Sequence, residues 1–212
     1  MANDHPGQAD CEVLIIGAGP TGLMAANLLK RSGVDVRIVE QRAQLSRESR
    51  AFAIQARTLE LFQHIGLVDK LLDRGVINAS VEFYVGGRHA GSLNFDGTEQ
   101  PDTPYPFIFL LPQSQTEEIL LQDLAAQGVE VERGIEISGI DQDRDSAVSQ
   151  GRTEDRREVL VRSGYVLGCD GAHSIARKSQ GFSFEGAQYP QTFLLADCRV
   201  IWPADSKRGG AG

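Results

Sequence analysis

A chain of 212 residues, 41% of them hydrophobic, is long enough for one sizeable core and part of a second domain. A formal net charge of −8 argues against nucleic acid or an anionic membrane as partner, since either needs a basic face. No apolar run approaches the roughly 20 residues that span a bilayer, and the leading MANDHPGQAD has no apolar signal core, so a soluble cytoplasmic protein is expected.

Val13 to Ile16 is a short β-branched and leucine run that stops at glycine, the pattern of a parallel strand buried on both faces. Gly17, Gly19 and Gly22 follow as G-x-G-x-x-G. Gly17 permits the tight turn out of the strand, Gly19 lets a diphosphate approach the backbone, and Gly22 lets helix and strand pack closely. A helix beginning near Thr21, just after Pro20, turns unpaired N–H groups and a positive dipole end toward the same anion. Its apolar face runs through Leu23, Ala26, Leu28 and Leu29, Gly33 ends it, and Val34 to Val39 forms a second strand. Glu40 closes the unit at the strand end, where a carboxylate accepts hydrogen bonds from ribose hydroxyls and would repel a 2′-phosphate. These parts make a βαβ dinucleotide site that does not by itself distinguish FAD from NAD. The competing reading, a glycine turn that only packs a helix on a strand, leaves Glu40 without a role.

The loop after Glu40 begins with Gln41 and carries Arg42, Arg47 and Arg50, which can reach a diphosphate from the side opposite the glycine turn. Leu59, Phe62, Ile65 and Leu71 predict two short helices around Gly66. Alternation about Gly86-Gly87 predicts a β-hairpin, and Phe107 to Leu111 a further strand, antiparallel material that would stand over the nucleotide unit and wall off a pocket. Gln113 precedes a helix for which Ser114 is the expected cap, Glu117 its capping-box partner and Gly128 the stop, so the Gln113 amide can point into the cleft between the domains. Gly128 to Arg133 is another strand. Asp141 to Glu158 is highly polar and reads as an exposed connection between strands. Glu158 to Leu167 returns as strand and leads into GCDGAHSIARKSQG. Asp170 there is placed to bind a ribityl or ribose hydroxyl; alternatively Asp170-Gly171 is an ordinary turn with Ser174 capping the next helix.

Cys11, Cys169 and Cys198 are odd in number and lack metal spacing, so they read as small core residues in a reducing compartment. His5, His64, His89 and His173 are scattered, and no metal site or catalytic side chain is assigned.

GAGPTG, Glu40, SRAFAIQARTLE, LPQSQTEEIL and GCDGAHSIAR occur in an order and spacing that resembles the single-component flavoprotein aromatic hydroxylases, FAD-dependent monooxygenases of the para-hydroxybenzoate and phenol hydroxylase type. The resemblance covers Asp10 to about Pro203. It implies an α/β fold, a Rossmann-like FAD-binding parallel sheet with helices plus an incomplete antiparallel β substrate domain. The FAD-binding part would be residues 1–75 and 113–187, and the partial substrate domain 76–112 and 188–212. The implied FAD contacts are Gly17, Gly19, Pro20, Thr21, Gly22, Glu40, Gln41, Arg50, Gln113 and Asp170. Also implied are NADH or NADPH as transient reductant, O2, and a small phenol-like aromatic substrate; the oligomeric state is not implied. The lack of a second dinucleotide fingerprint agrees with that family. Its members run to several hundred residues and carry a later Gly-Asp turn at the flavin, so this sequence reads as the N-terminal part of a longer enzyme or a truncated product. Arg199 to Trp202 then begins a strand without a partner, and the chain alone is expected to bind FAD at least about tenfold more weakly than a complete relative and to be unstable or catalytically silent. The alternatives are a related FAD oxidoreductase that inserts no oxygen, and a non-enzymatic dinucleotide-binding module.

Overall fold

The β-branched run before the glycine motif forms strand β1 (Cys11–Ile16), the motif opens helix α1 (Pro20–Arg31), and strand β2 (Val36–Glu40) follows. The computed structural model describes residues 9–44, 53–77, 80–94, 102–187, 191, 192 and 194. The chain continues through β3 (Ala53–Ile54), helices α2 (Ala56–His64) and α3 (Val68–Leu72), and strands β4 (Val76–Ile77), β5 (Ser80–Val85), β6 (Arg88–Asn94) and β7 (Phe109–Leu110). Helix α4 (Gln113–Ala126) precedes β8 (Val131–Arg133), β9 (Ile135–Gln142), β10 (Ala147–Thr153), β11 (Glu158–Gly168) and the short helix α5 (Ile175–Ser179). Arg47, Arg50, Cys198, His5 and the strand expected at Arg199 to Trp202 lie outside the described residues.

Among the described residues the main sheet has the order β8-β2-β1-β11-β10-β9. β8, β2, β1 and β11 run parallel, while β11, β10 and β9 are joined as antiparallel neighbours. The sheet is therefore mixed, with its parallel half supplied by the βαβ unit. β1 is central and its side chains alternate between two cores, as the period of two requires. Val13 and Ile15 join Leu23 and Ala26 of α1, Phe62 of α2, Phe109, and Ile119 and Leu120 of α4 on one face. Leu14 and Ile16 join Ile135, Ile137, Ala147 and Val161 on the other, with Ile175 and Ala176 of α5 packed against them. Fully buried Asn27 pins α1 to α4, because its amide donates to the carbonyls of Leu23 at 2.9 Å and Leu120 at 3.1 Å.

Helices α1 and α4 end alike. Gly33 and Gly128 take positive φ, and the next valine closes each helix, Val34 N–H to Leu29 O and Val129 N–H to Leu124 O, both at 3.1 Å. Each following strand accordingly starts later than its apolar pattern does: β2 at Val36 rather than Val34, β8 at Val131 rather than Gly128. The expected capping box at α4 is also corrected. That helix begins at Gln113 with Pro112 as its cap, so Ser114 lies inside the first turn and Glu117 is drawn into the interior at 5% exposure.

The largest correction concerns Asp141 to Glu158. Instead of an exposed connection it contains β10, paired on both sides by β9 and β11. Its inward positions are Ala147, Ser149 and Gly151, which bury without a large apolar side chain, and Gln150 and Arg152 face out. Polarity concealed the strand because the space beneath it takes only small residues; a Cβ at Gly151 would stand 2.5 Å from the carbonyl oxygen of Glu136.

The predicted hairpin is present as β5 and β6, turned by Gly86 (φ +57) and Gly87 (φ +76), both in the left-handed region that a tight two-residue loop needs. Phe83, Tyr84 and Val85 on it are half or more exposed. A separate small sheet, β3-β7-β4, uses the Phe107 to Leu111 stretch as its middle strand.

Cys11 in β1 is 4% exposed, and burial pushes its thiol up to about 11 from the ordinary 9.0. Below pH 9 the folded and unfolded chains both keep this proton. Between about pH 9 and 11 only the unfolded chain loses it, so the unfolded state binds fewer protons and stability falls as pH rises. Urea melts at about pH 8 and pH 10 should show a smaller alkaline loss in Cys11→Ala than in the parent; equal losses would place the effect in other groups.

Candidate functional site

The carboxyl ends of the parallel strands meet at one edge of the sheet, the edge where open α/β sheets place their ligands. Backbone hydrogen bonds tie the three central turns together: Gly17 N–H donates to Val39 O and Cys169 N–H to Ile16 O, each at 2.8 Å. Above them lies a cleft of about 730 Å³, within the 300–1,000 Å³ typical of small-molecule and cofactor sites. It is lined by Gly17, Gly19, Pro20 and Thr21 from the glycine turn, Glu40 and Gln41 after β2, Gln113 at the start of α4, and Asp170 after β11. Four separate stretches of sequence thus converge on one space. Gly22 sits beneath the turn in the core, and Arg50 is outside the described residues.

The three motif glycines differ in what surrounds them. At Gly17 φ is +100 and a Cβ would lie 2.5 Å from Cys169 O. At Gly22 a Cβ would run into the carbonyl oxygen of Gly17. At Gly19 a Cβ would meet nothing within 4 Å, because this glycine faces the open cleft. Gly19 is the N-cap of α1 and Pro20 its first residue; no side chain caps the helix and no acid stands in its first turn. Among the described residues its amino-terminal N–H groups thus have no capping side chain or first-turn acid, which together with the dipole favours an anion at this end.

Glu40 holds the turn from the next strand. One carboxylate oxygen accepts from Ala18 N–H at 2.8 Å and the other from Arg42 N–H at 3.0 Å. A carboxylate has further lone-pair capacity for a ligand hydroxyl beyond these two bonds. Asp170 lines the cleft and also holds the start of α5. Its Oδ2 accepts from Ile175 N–H at 2.5 Å and Ala176 N–H at 3.3 Å, while Ser174 Oγ caps α5 through Arg177 N–H at 3.0 Å. Its Oδ1 is enclosed and has no hydrogen-bond partner among the described residues. The Gln113 amide donates to buried Glu117 Oε1 at 2.8 Å, which fixes its orientation at the cleft wall. Burial raises the Cys169 thiol at the cleft floor, keeping it protonated and unreactive near neutral pH.

Sequence reasoning did not single out Arg133, and gave Glu117 only a capping role; both line the cleft. Arg133 was legible in one respect. GVEVER repeats the pattern of GVDVRIVE, so its end belongs at the same sheet edge as Glu40, and the two residues are register partners. No group of His, Cys, Asp or Glu fit to hold a metal ion occurs among the described residues. His89 lies on the exposed hairpin, 2.6 Å from Glu82, whose same oxygen also accepts from Ser92 Oγ. No helix among the described residues is long and apolar enough to cross a membrane.

A family model described as FAD binding domain matches residues 10–207. Pentachlorophenol 4-monooxygenase of Sphingobium chlorophenolicum is 34% identical over 191 residues, 89% of this chain and 35% of that protein. Rifampicin monooxygenase of Streptomyces venezuelae is 37% identical over 190 residues, 89% of this chain and 38% of that protein. The crystal structure of the flavin-dependent monooxygenase PieE in complex with FAD and substrate matches with a TM-score of 0.77 at 26% identity, covering 85% of this chain and 34% of that one. The chain spans little more than a third of the length of these curated relatives.

Proposed function

Since this chain belongs to the FAD binding domain family, we propose that its cleft holds FAD. The activity it serves is hydroxylation of a small phenol-like aromatic compound, with O2 as co-substrate and NADH or NADPH as transient reductant. The names of the matched relatives support the monooxygenase reading. The observation that carries the cofactor assignment is the convergence of Gly19, Glu40 and Asp170 on one cleft of sufficient size.

The residues fit that group. Gly17, Gly19, Pro20, Thr21 and Gly22 form the turn and helix start for the diphosphate, whose approach needs the space left open at Gly19. Glu40, with Gln41 beside it, serves the adenosine ribose. Gln113 and Asp170 serve the flavin side, Arg50 outside the described residues is a further FAD contact, and the Oδ1 of Asp170, unpartnered among the described residues, is an acceptor awaiting a ribityl hydroxyl. Bound FAD supplies the redox and oxygen chemistry, and the chain supplies binding and orientation. Glu117 holds the Gln113 amide in one orientation, and the apolar side chains of Ile16, Ile135 and Ile137 keep one wall of the cleft dry.

Titration of purified 1–212 with FAD, followed by flavin fluorescence, tests the reading: saturable binding that ADP displaces is expected. Binding of NAD but not FAD would overturn it in favour of a different dinucleotide module. Oxygen uptake without a hydroxylated product would mark an oxidoreductase that inserts no oxygen. Asp170→Ala should bind FAD about tenfold more weakly, the loss of a bond to a charged acceptor. It should melt only about 1 kcal/mol lower, since Ser174 still caps α5. Unchanged affinity in that variant would return Asp170 to a purely structural turn.

A further inference from the structure

Arg133 ends β8 directly beside Glu40, its partner in the parallel register, so both side chains stand on the same face of the sheet at the cleft. Oppositely charged neighbours at such positions ordinarily pair. These do not: the Glu40 carboxylate is drawn away by the N–H groups of Ala18 and Arg42, and Arg133 makes no ion pair among the described residues. Its Nη2 is enclosed without a hydrogen-bond partner among the described residues while the residue forms cleft wall. A buried guanidinium donor left empty is costly and uncommon, which points to an acceptor or a flat surface brought by a ligand.

The order of strands identifies that ligand part. With the diphosphate at the turn after β1 and the ribose at Glu40 after β2, the next group along an adenine nucleotide lies past Glu40. The next strand in that direction is β8. Resting on the FAD reading of the cleft, we infer that Arg133 is the adenine-recognition residue of the nucleotide site. Its guanidinium meets the edge of the base and directs in-plane N–H donors to the acceptor nitrogens there, and a rigid, donor-only fork suits a base edge rich in acceptors.

Calorimetric titration of 1–212 and of Arg133→Met and Arg133→Lys with ADP and with pyrophosphate tests this. Methionine keeps the apolar stem and removes the unsatisfied donor, so melting should not fall. Arg133→Met should bind ADP about tenfold or more weakly and pyrophosphate within about twofold of the parent. Arg133→Lys keeps the charge without the planar fork and should remain weakened toward ADP. Parent-like ADP binding by either variant, or an equal loss toward pyrophosphate, overturns the inference while leaving the FAD reading standing. A parent chain that binds neither ADP nor FAD overturns that reading and the inference with it.

Discussion

Gly22→Ala is expected to destabilise the chain by more than about 3 kcal/mol, and Gly19→Val, three residues earlier, to leave melting within about 1 kcal/mol while abolishing FAD binding. Both replace glycines of one motif, and the difference comes from what each faces. A Cβ at Gly22 would collide with the carbonyl oxygen of Gly17 and press on Cys169 Cβ at 3.2 Å. The first of these is backbone in a turn tied by hydrogen bonds to β2, so it cannot rotate aside as a side chain would. Overpacking of ordinary cores costs about 1–3 kcal/mol, and a rigid backbone neighbour puts this site above that range. Domains of this size hold only about 5–15 kcal/mol in total, so the loss should be plain in a urea melt. Gly19 has extended backbone (φ −75, ψ −178) that any residue adopts, and open space where a side chain would go. Valine there would stand in the open cleft, in the space the proposed diphosphate needs. Parent-like melting of Gly22→Ala would contradict the helix–turn packing, and parent-like FAD binding by Gly19→Val would remove the diphosphate from this turn.

Glu40→Ala should weaken both the fold and the site, which separates it from a variant that touches ligand alone. Without the carboxylate, the Ala18 N–H at the bottom of the glycine turn loses its acceptor, a loss of about 1–3 kcal/mol for a partly buried donor. Ribose contacts forfeited at the same position weaken FAD by a further tenfold or more, about 1.5–3 kcal/mol for bonds to a charged group. Glu40→Gln distinguishes the two contributions, since its amide oxygen still accepts from Ala18 N–H. That variant should recover most of the melting temperature and little of the affinity. If Glu40→Ala lowered neither quantity, the carboxylate would be dispensable to turn and ribose alike.

The reach of the sequence can be judged at particular residues. The βαβ unit was legible because each of its parts has a local cause: β-branched residues before a glycine, a proline at the first helical position, a glycine able to take positive φ at the helix end. The paired helices around Gly66 and the hairpin at Gly86-Gly87 were legible for the same reason. The strand at Ala147–Thr153 was not, because its inward side chains are chosen by the space left between β9 and β11, and small residues carry no hydrophobic period. The capping box at Ser114 failed because a proline one residue before Gln113 starts the helix earlier and the core then claims Glu117.

By itself the sequence determined a dinucleotide-type βαβ unit with Gly17, Gly19, Gly22 and Glu40 in it, since glycine spacing and strand ends are properties of neighbours along the chain. Only the tertiary structure decided that Asp170, 130 positions after Glu40 in the numbering, shares a cleft with it, and that Glu40 grips Ala18 rather than pairing with Arg133. Those outcomes depend on the order in which strands lie side by side, β8-β2-β1-β11, and that order is set by packing across the sheet rather than by any stretch of residues read alone.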